Sequence, residues 1–276
     1  MTSIRMSRGA WFAVGLLLAG LAGLLLLRSL GSGALLPISA VIAAPPAGDL
    51  PAMPDKPPAS PEGFNGCPPE GEGGDLVLNR LRNRVDKGAY VPVSFDSLLA
   101  LTWPKSAEQR LMSEWTPSGR AFISQYLGIP LVVEGYIEAL REGVADPANC
   151  NRADEPEDIW RFYLTKEPKD RRPQAIMATS TPQTRLGHTW RADFIRSFLV
   201  EGRILVRVSG WLYFDPYHPQ EIGRARATLW EISPLMQIEV FQDGRWNPLD
   251  KYGKWRRSPR SAVGTMMRSD GLARYW

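Results

Sequence analysis

With 276 residues, 44% of them hydrophobic and 22% charged, the chain has the composition of an ordinary folded protein, which excludes a disordered one. A formal net charge of +4 is too small for overall charge to select a partner. Two Cys and two His, all far apart, do not make the cluster of three or four ligands that a structural zinc takes, and no cofactor is expected.

Residues 1–30 read as a membrane anchor or a signal segment. Arg5 and Arg8 precede an uncharged run from Ala10 to Leu27, closed by Arg28. A span needs roughly 17–25 apolar residues and a signal-peptide core about 7–15. The arginine bias puts the N-terminus inside, so the bulk of the chain is expected outside the cytoplasmic membrane of a bacterium, as a single-pass protein. Cleavage near Ser39-Ala40-Val41 or Ile42-Ala43-Ala44, giving a secreted form, is the alternative. The membrane is then the first partner. Residues 31–74 are rich in Pro, Gly and Ala and read as a tether.

Residues 75–130 are expected to form a helical extension. Leu78, Leu81 and Val85 share a helical face, and Arg80, Arg82, Arg84 and Lys87 read as a solvated basic face. Thr116-Pro117 carries a helix cap and first turn, with Gly128 as the stop.

Residues 131–244 are strand-rich. Strands are expected at Leu131–Leu140, Ile159–Leu164, Gln174–Thr179, Arg203–Phe214 and Ala227–Phe241, with a helix at Thr189–Leu199 between the third and fourth. The fifth is bent at Ser233-Pro234, since proline cannot donate to a ladder. Strand, strand, strand, helix, strand, strand is the order of an OB-fold, so the expected class is mainly β (α+β), an OB-like five-stranded barrel with an N-terminal helical extension. On the fourth strand Ile204, Val206, Val208, Leu212 and Phe214 fall on one face, while Arg207, Trp211 and Tyr213 fall on a second, partly wet one.

The stretch Gly210-Trp211-Leu212-Tyr213-Phe214-Asp215-Pro216, then His218-Pro219, Gly223, Arg226, Thr228-Leu229-Trp230-Glu231-Ile232, Pro234, Ile238 and Glu239, resembles a bacterial family of unassigned function with the pattern GWLxFDxxHP…G…RxTLWEIxPxxxIE. Gly66-Cys67-Pro68, Leu78 to Arg84 and Val132 to Tyr136 are similar to its other segments. The resemblance implies an OB-like barrel with a helical extension and no reaction. It departs where the family has a Cys-x-Cys pair and an Asp-x-His, for here stand Cys150-Asn151-Arg152 and Asp158-Ile159-Trp160.

Cys67 and Cys150 are either one disulfide, in an oxidising compartment, or two unpaired thiols. His188 and His218 read as hydrogen-bonded loop residues. Asp215, Glu231 and Glu239, with Arg207 and Arg226, are the set from which a metal-dependent phosphodiesterase would be built, or else turn-capping and solvated residues. The acidic stretch Asp154, Glu155, Glu157 and Asp158 reads as a solvated loop.

Residues 245–276 hold eight Lys/Arg against two Asp, interleaved with aromatics, a mixture suited to single-stranded nucleic acid, to anionic lipid, or to a mostly disordered tail whose aromatics pack back on the barrel. The candidate ligand-binding set is therefore Arg207, Trp211, Tyr213, Arg226, Trp230, Lys254, Trp255, Arg256 and Arg257. The expected role is a non-catalytic binding or scaffolding module with a protein or polyanion partner; single-stranded nucleic-acid binding and phosphodiesterase activity are the alternatives. Oligomeric state stays open.

Overall fold

The computed structural model of the chain describes residues 63–200 and 203–252. The expected anchor, most of the tether and Lys254, Trp255, Arg256 and Arg257 lie outside the described residues. Within them no helix is long and apolar enough to cross a membrane.

Asp75 starts the first helix, α1 (Leu76–Arg82), by accepting hydrogen bonds from the Val77 and Leu78 amides. A two-residue strand, β1 (Val91–Pro92), and a short helix, α2 (Phe95–Leu99), follow. Helix α3 (Pro117–Ser124) begins where Thr116-Pro117 predicts, with the Thr116 hydroxyl accepting from the Gly119 amide. It ends before Gly128, which instead turns the chain at φ +82° into the next strand.

The strands are β2 (Pro130–Val144), β3 (Ile159–Thr165), β4 (Ile176–Ser180), β5 (Leu205–Phe214), β6 (Trp230–Gln242) and β7 (Arg245–Pro248). Between β4 and β5 lie α4 (Pro182–Arg185) and α5 (Ala192–Val200). The fold is mainly β with a few helices. β2 pairs antiparallel with β3, β3 with β4, β5 with β6 and β5 with β2, while β4 and β6 pair parallel through Met177↔Glu231 and Ala178↔Ile232. The five strands thus close into a ring. β1 and β7 are added outside it, on β2 and β6.

The ring is irregular. The β5–β6 register shifts on both sides of Gly210, opposite the Pro234 bend. Its interior is filled by Phe162, Leu164, Ile176, Val206, Val208, Leu212, Phe214, Trp230, Ile232 and Ile238, with Leu78, Leu98, Trp115 and Ile123 of the extension joining the same core. Burying apolar side chains from both segments makes extension and ring one cooperative body.

The second face of β5 stays partly wet at Arg207 but is covered at Trp211 and Tyr213, and this corrects the sequence reading for those two rings. Trp211 is 6% exposed and Tyr213 is 1% exposed. Arg84 lies 3.3 Å above the Trp211 ring and Tyr90 packs edge-on to it at 6.2 Å, while Arg82 sits 5.6 Å from the Tyr213 ring. Of the expected solvated basic face, Arg82 and Arg84 are buried and are corrected with it, whereas Arg80 is half-buried and Lys87 exposed. A period-two pattern reports which face is apolar, and is blind to another segment folding over the opposite one.

Candidate functional site

Strand β5 ends at Phe214, and the next residue, Asp215, collects the charges of the following loop. Its carboxylate accepts from the Tyr217 amide at 2.9 Å, from His218 Nδ1 at 2.7 Å and from Arg226 at 2.5 Å. The second terminal nitrogen of Arg226 donates to Glu231 at 2.6 Å, and Glu221 lies 3.9 Å from Arg226 Nε. Glu231 is placed by the parallel pair with Met177 and the antiparallel pair with Tyr213. Arg226, Asp215 and Glu231 are all buried.

The two carboxyls respond oppositely. Burial works to raise Asp215, but Arg226, His218 and Arg82 outweigh it and hold the group well below the usual carboxylate range. Burial, then the charge of Asp215, push Glu231 up against the pull of Arg226. One guanidinium between two acids explains the asymmetry: the first acid is fully compensated and the second only in part.

The network extends to the N-terminal side. Asp146 accepts from the Ala148 amide and caps the turn Pro147–Asn149 after β2. Arg82 donates to Asp146 at 2.7 Å. Arg161, on β3, approaches the other Asp146 oxygen at 3.5 Å and both its terminal nitrogens stand 3.4 Å from His218 Nε2. Asp215 fixes the His218 ring through Nδ1, leaving Nε2 turned toward Arg161. Tyr217 closes the loop onto the extension, its hydroxyl accepting from the Asp75 amide at 2.7 Å.

A cleft of about 800 Å³ opens beside these groups, between the extension, the turn after β2 and the loop after β5. Arg110, Glu114, Asp146, Arg161, Tyr217 and His218 line it. The disulfide between Cys67 and Cys150 (Cα–Cα 5.8 Å) fastens the end of the expected tether to that turn, and Asn83 fastens the extension to it by donating to the Ala148 carbonyl at 2.7 Å.

Of the residues singled out in the sequence, the structure brings Asp215, Arg226 and Glu231 together. It places Arg207 apart, donating to Glu134 at 2.7 Å and lying 4.2 Å over the Trp246 ring, in register with Glu239. Trp230 is in the core and donates from Nε1 to the Thr102 carbonyl at 3.1 Å. Trp211, Tyr213, Arg226 and Trp230 are therefore not a solvent-facing binding set; Arg207 alone among the described candidates keeps an accessible side chain. His188 is held by Asp250 at 2.9 Å and stacks on Trp190 at 4.0 Å. Asp158 is not solvated but buried, bonded to Arg185 at 2.9 Å, and burial pushes that guanidinium down to about 10.

Sequence reasoning missed Arg82, Asp146 and Arg161. A signal existed for Arg161, the one charge inside the apolar strand from Ile159 to Leu164. None existed for Asp146 as a partner of Arg82, since the two are 64 positions apart.

No protein-family model and no curated protein matches this chain. Among solved structures it is similar to one described as OBody AM2EP06 bound to hen egg-white lysozyme, with 14% identity over 51% of this chain and 98% of that one and a TM-score of 0.25. A second, OBody AM1L10 bound to hen egg-white lysozyme, is 12% identical over 51% and 99%, with a TM-score of 0.23. Likenesses at this level carry no argument.

Proposed function

We propose that the chain is a non-catalytic binding or scaffolding module, an OB-like barrel held outside the cytoplasmic membrane by its N-terminal segment and tether, and that the cleft beside His218 is its binding site. The observation that carries this reading is that Asp215 and Glu231, the carboxylates a phosphodiesterase would need free, are both spent on Arg226 at 2.5 and 2.6 Å. Four of the five charged or ionisable residues of the family pattern, Asp215, His218, Arg226 and Glu231, are linked in one chain of hydrogen bonds, while Glu239 stands opposite Arg207. This favours that part of the pattern as a folding motif.

A ring closed by a parallel pair between its third and fifth strands, with helices between the third and fourth, supports the OB-like reading. The disulfide supports an oxidising compartment. Single-stranded nucleic acid is the weaker reading. OB-folds receive such ligands across strands two and three. Here β3 and β4 are buried at every residue, and Ala225 packs on Tyr163 and Met177.

Two measurements test the proposal. Alkaline phosphatase fused after Trp276 is expected to be active, and a cytoplasm-dependent reporter inactive; the reverse overturns the topology. A photocrosslinker at Arg110 is expected to capture an envelope component that the same probe at Lys169 does not, and equal labelling from both removes the cleft as the site.

A further inference from the structure

We propose that Arg161 and His218 form a seat for an oxyanion in the cleft, so that its ligand is a compact molecule, or the end of a larger one, carrying a phosphate or carboxylate group. This rests on the reading of the cleft as the binding site and adds the class of ligand.

Hydrogen-bond accounting singles out Arg161. The three other buried arginines each have a carboxylate close by: Arg82 at 2.7 Å, Arg84 at 2.6 Å, Arg226 at 2.5 and 2.6 Å. Charge-assisted bonds are normally about 2.7–2.9 Å long. Arg161 has only the 3.5 Å approach to Asp146 and the 3.4 Å approaches to His218, although its side chain is 9% exposed. Its neighbours across the sheet bring no carboxylate, for Arg141 stands opposite on β2 and Thr179 on β4. Asp146 is compensated by Arg82 and the Ala148 amide. A buried cation without a close counter-ion is costly unless something supplies one.

The cleft supplies the space. Its volume of about 800 Å³ falls within the range of small-molecule sites. Each terminal nitrogen of the Arg161 guanidinium has a further N–H beyond its approach to His218, so the planar group can offer two N–H to two oxygens of one anion. His218, fixed by Asp215 through Nδ1, joins from Nε2 as a donor when its ring is protonated. Arg110 lines the same cleft, as do Glu108, which is bound by Trp103 and Lys105, and Glu114.

The chain has two histidines, and this makes a test that needs no substitution. Full-length protein in detergent, labelled with ¹⁵N-histidine, is titrated with phenyl phosphate and separately with benzoate. The His218 nitrogen signals are expected to shift and saturate, while those of His188, held by Asp250 and Trp190, stay in place. Calorimetry of Arg161→Gln is expected to show affinity weaker by about tenfold or more, the loss of a hydrogen bond to a charged group. Arg161→Lys should fall between, and Arg207→Gln should be unchanged. Saturation by one probe only assigns the phosphate or the carboxylate. Neither histidine shifting, or both shifting alike, overturns the seat, as does equal affinity in folded Arg161→Gln. An unresponsive His218 with a specific Arg110 crosslink would sink the seat and leave the binding reading; release of inorganic phosphate from phenyl phosphate would do the opposite.

Discussion

Gly210→Ala is the smallest change that separates a packed strand crossing from a tolerant one. A Cβ at this position would lie 2.5 Å from Ile232 Cγ2, 2.5 Å from the Pro234 carbonyl oxygen and 3.3 Å from Leu235 Cα. Comfortable carbon contacts are roughly 3.5–4.0 Å, so two neighbours are each about 1 Å too close. Ile232 is fully buried and β-branched, with little rotamer freedom, and the Pro234 oxygen is backbone. Relief therefore requires β6 to move away from β5 at the bend. Alanine would gain about 0.5–1 kcal/mol over glycine through the unfolded chain, against about 1–3 kcal/mol of overpacking. The net expectation is about 1–2 kcal/mol lost for Gly210→Ala and about 3 kcal/mol for Gly210→Val. At roughly 2–4 °C per kcal/mol, thermal unfolding followed by circular dichroism should drop by several degrees for the first and more for the second. Melting temperatures equal to wild type in both would refute the close crossing.

Arg226→Met leaves Asp215 and Glu231 buried without their shared cation and should cost about 3–5 kcal/mol in urea unfolding; a smaller loss in the Arg226→Met/Glu231→Leu pair would show that the stranded charge is the cause. Asp215 and Asp146 have lowered folded-state values, so their stabilisation is whole above about pH 4 and is lost as pH falls through those values. Glu231, raised, acts in the opposite sense, contributing below the unfolded value and losing that as pH rises. The melting temperature should therefore fall on acidification, less steeply in Asp215→Asn, and parallel slopes would contradict this. Replacing Cys67 and Cys150 by Ala frees a crosslink across 83 positions and should cost about 4 kcal/mol in the chain-entropy account, read as a lower urea midpoint that reductant no longer changes. Trp211→Ala should lower stability by about 3 kcal/mol while leaving phenyl phosphate affinity unchanged, because the ring is packing under Arg84; an affinity loss in folded protein would restore it as a contact residue.

The ring was legible because each strand carries its own local signal. Ile159–Leu164 and Arg203–Phe214 were expected within two residues of β3 and β5, and the Thr116-Pro117 cap marks α3 directly. β1 and β7 were not legible, since strands of two and four residues have too few positions to show a period. The cleft was legible only in pieces. Asp215, Arg226 and Glu231 stood out as charges around apolar strands, but their partners Arg82, Asp146 and Arg161 come from distant segments, and no pattern local to one segment records a contact made through the fold.

Two strand borders remain open to other molecules. Among the described residues, β1 pairs only with β2 and β7 only with β6, so each has one side unmatched. β1 ends in Pro92 and β7 in Pro248, and neither residue has an amide hydrogen to offer an incoming chain. Short, proline-ended borders are poor templates for strand addition. Many copies crowded side by side on a surface would thus stay separate molecules instead of knitting into a continuous aggregate.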